Sequence, residues 1–110
     1  MLKITDNVSE FQAEDECVVY FTASWCNPCK QLKPHYGRVS VIDPDTSYYL
    51  VDVDSIDQNV LKSYNILSIP QIFVMEKGKI TNIILARTTE TILEELGKWQ
   101  QLLLLVKMVM

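Results

Sequence analysis

Ser24-Trp25-Cys26-Asn27-Pro28-Cys29-Lys30 carries two thiols with two residues between them, at the junction of two different patterns. Before it runs Val18-Val19-Tyr20-Phe21-Thr22-Ala23, apolar on both faces as a central parallel strand requires. After it comes a helical pattern with Leu32 and Tyr36 on one side. A cysteine at a strand-to-helix turn meets free backbone N–H groups and the positive end of the helix dipole, which stabilise a thiolate. The second cysteine falls about one helical turn further on and can reach the first sulfur. The pair suits a reversible dithiol/disulfide couple. It would equally supply two ligands of a structural zinc site.

The surrounding chain narrows the choice. Its 110 residues fit one domain with one core, and 48% hydrophobic content is incompatible with disorder. The net charge of −4 gives no electrostatic footprint for nucleic acid. No apolar run approaches the roughly 18 residues of a membrane span. The start, Met1-Leu2-Lys3-Ile4-Thr5-Asp6, lacks the apolar stretch of a signal peptide, so a cytoplasmic location is expected. Three cysteines do not make a disulfide framework, and in a reducing compartment CxxC reads as redox or metal chemistry. Tetrahedral zinc would need two more ligands, and Cys17 and His35 are the other Cys and His. His35 lies nine residues beyond Cys26, about 13 Å along a helix, and Cys17 lies at the far end of the strand.

In chain order, residues 2–5 predict a short strand and 8–15 a helix capped by Asp6 or Asn7, with Val8 and Phe11 inward. Residues 17–23 are the strand and the CxxC helix runs to about 42. Pro34 should kink that helix, and Asp43-Pro44-Asp45 stops it. Residues 48–53 read as a second buried strand, 56–64 as a short helix, and 71–76 as a third strand turning at Lys77-Gly78 into a partner over 79–86. Thr88 or Thr89 caps a last helix. Its stripe, Ile92, Leu96, Trp99, Leu103, Val106 and Met110, predicts one long helix. Strands alternating with helices and ending in a hairpin give an α/β fold with a mixed sheet covered on both faces.

With Trp-Cys-x-Pro-Cys-Lys after a buried strand, Pro34 five residues beyond Cys29, and Ser68-Ile69-Pro70 just before the hairpin, residues 1–102 resemble thioredoxin. The resemblance implies the thioredoxin fold, a central mixed sheet of about five strands flanked by helices on both faces. It implies a protein-disulfide reductase whose partners are disulfide-bearing proteins and a thioredoxin reductase or other dithiol donor. No cofactor beyond the Cys26–Cys29 disulfide and no metal is implied. Cys26 takes the role of exposed attacking thiol and Cys29 of buried resolving thiol. By the same resemblance Trp25 would shield the site, Pro28 would rigidify the turn, and Ile69-Pro70 would be the cis-proline loop that binds an incoming peptide. Asn27 replaces the usual glycine and should shift the potential. Lys30 reads as an exposed helix residue with a modest effect expected on the thiols. Tyr20 stands where the family places a buried acid credited with proton handling. A phenol of unperturbed pKa about 10 is a poor base near neutrality. Ala86 replaces a glycine near the substrate groove.

Other residues take plainer roles. Cys17 reads as a small buried hydrophobe, His35 as a surface helix residue, and Asp43, Asp45, Asp52, Asp54 and Asp57 as loop and strand-end charges. Residues 103–110 form an apolar extension, for which self-association through 102–110 is the favoured reading over membrane contact. That tail motivates a rival function, a thioredoxin-like structural or partner-binding subunit in which the dithiol is dispensable. An oxidase or isomerase is a third class, one that needs a higher potential and an export signal.

Overall fold

The computed structural model describes residues 2–98. Nine regular elements follow in order: β1 (Leu2–Ile4), α1 (Val8–Gln12), β2 (Cys17–Thr22), α2 (Asn27–Ile42), β3 (Tyr48–Asp52), α3 (Gln58–Ser63), β4 (Gln71–Glu76), β5 (Lys79–Ile84) and α4 (Thr89–Glu95). A 3₁₀ turn, Val53–Ser55, continues β3.

The strands form one sheet in the order β1-β3-β2-β4-β5. β1, β3 and β2 run parallel, while β4 is antiparallel to β2 and β5 to β4. The centre is β2, whose first five residues are all buried. Successive side chains of a strand point to opposite faces. Phe21 therefore meets Phe11 of α1 and Tyr64 beside α3, while Tyr20 meets Tyr36 of α2. The same alternation sends Tyr49 to Phe11 and Tyr48 to Tyr36. Aromatic residues at two adjacent positions thus tie helices to both faces. The Tyr36 hydroxyl also donates to the carbonyls of Val18 and Tyr49, stitching α2 across two strands.

The turn between β4 and β5 has Lys77 at φ 51° and Gly78 at φ 80°, the left-handed pair that a two-residue hairpin demands. The helix α2 continues through Pro34 as a single helix.

Two expectations change. Helix α1 ends at Gln12 rather than 15, because Ala13 caps it and the chain must turn to enter β2 at Cys17. The long last helix is also corrected. α4 stops at Glu95, and Gly97 adopts φ 73°. The Lys98 N–H reaches the Leu93 carbonyl (2.7 Å) and the Gly97 N–H that of Glu94 (3.0 Å), a Schellman ending. Ile92 and Leu96 lie in or beside α4, whereas Trp99, Leu103, Val106 and Met110, like the whole 103–110 extension, lie outside the described residues.

Candidate active site

The two cysteines close the gap between β2 and α2. Cys26 is the N-cap of α2 and Cys29 lies in its first turn. They are joined as a disulfide, with their Cα atoms 5.3 Å apart. Pro28 has no N–H, so the donor facing back along the turn is Cys29, whose N–H donates to Cys26 Sγ at 3.2 Å. A helix N-terminus thus holds the first sulfur by a hydrogen bond, the arrangement that stabilises a thiolate there. The expected contrast of an exposed first cysteine is corrected: Cys26 is 5% exposed and Cys29 2%. With the sulfurs bonded, each covers the other. Asn27, Pro28 and Lys30 are exposed around them.

Tyr20 lies fully buried beneath the turn. Its hydroxyl donates to the Cys29 backbone carbonyl at 3.0 Å. Burial pushes this phenol above its ordinary value. The side chain therefore anchors the start of α2 and is no proton acceptor near neutrality.

Trp25 is 63% exposed, and its Nε1–H donates to Asp54 Oδ2 at 2.8 Å. Asp54 in turn gives its backbone N–H to Asp52 Oδ1 at 2.9 Å. The sequence alone marks Asp54 as a loop charge. Its role depends on a residue 29 positions away, for which the local sequence holds no signal. The Ile69-Pro70 peptide bond is cis. Ile69 and Trp25 line one cavity of about 360 Å³, with Val53, Leu61, Ile66 and Leu67 completing an apolar wall. Leu67, 88% exposed, is a groove residue that the sequence reading missed.

Cys17 is buried, donates to the Phe11 carbonyl at 3.6 Å, and has its thiol pushed up to about 12, first by burial and then by Glu14 and Glu16. His35, expected as a surface helix residue, and Asp43, expected as a loop charge, both have partners. His35 Nδ1 accepts the Thr89 N–H at 3.1 Å and pairs with Thr89 Oγ1 at 2.9 Å, so it fastens α2 to the start of α4. Asp43 is fully buried, and its Oδ2 accepts the Tyr48 hydroxyl at 2.8 Å. No group of His, Cys, Asp and Glu that could hold a metal occurs among the described residues, and Cys17 and His35 have other partners.

A disulfide at a strand-to-helix turn, beside a cis X-Pro loop on a five-stranded sheet, places the chain among dithiol α/β proteins. The thioredoxin family model matches residues 4–98, and the chain belongs to that family. Thioredoxin H8 of Arabidopsis thaliana is 29% identical over 84 residues, 76% of this chain. Putative thioredoxin-4 of Dictyostelium discoideum is 34% identical over 86 residues, 77% of this chain and 81% of its own length. The solution structure of oxidised thioredoxin from Plasmodium falciparum matches with a TM-score of 0.74 at 28% identity, over 90% of this chain and 98% of that one. The chain spans 56% of thioredoxin H8 and 63% of an H-type thioredoxin of Fagopyrum esculentum.

Proposed function

We propose that the chain is a thiol-disulfide oxidoreductase that reduces protein disulfides through Cys26 and Cys29. The observation that carries the reading is the disulfide itself, set at the N-terminus of α2 with the Cys29 N–H on Cys26 Sγ. In the reduced protein, Cys26 thiolate attacks one sulfur of a substrate disulfide. A Cys26–substrate bond forms, the substrate's S–S bond breaks, and the other substrate sulfur leaves as thiolate. Cys29 thiolate then attacks Cys26 Sγ, closes the intramolecular disulfide and expels the second substrate thiolate. Two electrons have passed to the substrate. Two residues between the thiols keep the second step intramolecular.

The apolar cavity of Trp25, Ile69 and Leu67 supports docking of an extended peptide with an apolar side chain beside the scissile bond. Asn27, Pro28 and Lys30 surround the disulfide and tune its potential. A thioredoxin reductase or another dithiol donor restores the reduced form. The dithiol domain is assigned to residues 1–102 and an apolar extension to 103–110. Self-association through 102–110 is tested by sedimentation with and without them, and a cytoplasmic location by fractionation.

The experiment is insulin reduction with dithiothreitol as donor. Wild type accelerates it and Cys26→Ser does not. Equal rates for the two proteins refute the reading.

A further inference from the structure

Cys29 must lose a proton before it attacks Cys26, a requirement that rests on the reductase reading. Tyr20 is not the acceptor, since its hydroxyl is committed to the Cys29 carbonyl. Cys29 does, however, open onto a cavity of about 360 Å³. Thr22 of β2 and Leu50 and Asp52 of β3 wall one side, and Lys30 and Lys33 of α2 wall the other. Thr22 stands beside Asp52 in the parallel register, and Leu50 and Asp52, two apart, share one face of β3. Among the residues lining this cavity, Asp52 is the one carboxylate. A water occupies roughly 30 Å³ of liquid, so the space admits several.

We propose that Asp52 is the proton acceptor for Cys29, acting through water in this cavity during resolution of the mixed disulfide. The Cys29 Sγ proton passes by way of water to the Asp52 carboxylate, leaving Cys29 thiolate and a neutral Asp52 carboxyl. The thiolate forms the Cys26–Cys29 bond as the Cys26–substrate bond breaks. The departing substrate thiolate takes a proton from solvent, and Asp52 returns its own proton to water.

The charged surroundings of Asp52 fit this use. Lys30 and Lys33 line the same cavity and favour the nascent thiolate. Asp6 and Glu10 share a second cavity with Asp52 on its other flank. Asp54 occupies Oδ1 through its backbone N–H, which leaves Oδ2 for the proton. An asparagine keeps an oxygen for the Asp54 bond and loses the base, so the Asp52→Asn variant separates capping from proton transfer.

Two measurements test the proposal. The first follows release of reduced substrate in a single turnover from about pH 6 to pH 9. Asp52→Asn slows it roughly 100-fold or more near pH 7, the deficit closes toward pH 9, and Asp52→Glu recovers most of the rate. The second follows alkylation of Cys29 by iodoacetamide against pH in a Cys26→Ser background, read by mass on the Cys29 peptide. Replacing Asp52 by asparagine removes a like charge and lowers the midpoint. Release at the wild-type rate throughout overturns the proposal. So does an equal slowing at every pH with an unmoved midpoint. Should the midpoint move while wild type reduces no disulfide at all, the reductase reading fails and the proton role falls with it.

Discussion

The hydroxyl of Tyr20 lies 3.0 Å from the backbone carbonyl oxygen of Cys29 and donates to it. A buried phenol thus touches Cys29 through its main chain, where it holds the helix start in place. Tyr20→Phe removes one hydrogen bond and keeps the ring that meets Tyr36 edge-on at 5.0 Å. The expected loss is about 1 kcal/mol of stability by urea unfolding. Insulin turnover stays within about twofold of wild type, far from the 10²–10⁴ of a lost general base. A large rate loss in a folded Tyr20→Phe protein would show that the phenol handles protons after all.

Trp25 and Asp54 make the second linkage, at 2.8 Å. Asp54→Ala frees the indole over the groove it shares with Ile69 and Leu67. The expected result is a several-fold rise in KM for insulin, equivalent to about 1 kcal/mol of binding. Reduction of a small aromatic disulfide, which does not need the groove, keeps its rate. Equal losses on both substrates would assign Asp54 to the sulfur chemistry instead.

High pH should unfold the protein with a burst of proton release. Burial raises the phenols of Tyr20, Tyr36, Tyr48 and Tyr49 above their ordinary value of 10.0 and the Cys17 thiol from 9.0 to about 12. Each group binds its proton more tightly in the folded state. The stability it contributes is therefore complete below its unfolded pKa and is lost as pH climbs toward the folded one. Tyrosinate absorbance is expected to rise together with loss of circular dichroism above pH 10. Phenol titration at ordinary values in a folded protein would contradict the packing. The same burial predicts that Cys17 escapes alkylation near pH 8 until denaturant is added.

Gly97→Ala tests the ending of α4. Nothing lies within 4 Å of the added methyl, so the cost comes from φ 73° alone. About 1 kcal/mol of stability should be lost. No loss would mean that the helix continues through this position.

Much of this architecture was legible because β2, β3 and β4 are apolar runs, and their burial matches their composition. The dithiol turn was legible because a strand pattern, two cysteines and a helix pattern meet there in sequence. What escaped were contacts between distant residues. His35 meets Thr89 across 54 positions and Trp25 meets Asp54 across 29, so neither histidine nor aspartate carries a local mark. Asp43 looked like a loop charge, yet the Tyr48 hydroxyl makes it a buried partner. The last helix failed for a local reason. An apolar spacing that ran past Gly97 outweighed the glycine itself, although a glycine just beyond the last helical residue is the commonest stop signal.

The central claim is that Cys26 attacks and Cys29 resolves. Cys29→Ser removes the second step, so a covalent intermediate should accumulate. The most direct measurement incubates reduced Cys29→Ser with insulin, quenches with acid and locates the adduct by peptide mass. The account predicts a mixed disulfide on Cys26 that dithiothreitol releases, and none in the Cys26→Ser/Cys29→Ser protein. An adduct on Cys17, or no adduct on a folded Cys29→Ser protein, would contradict it.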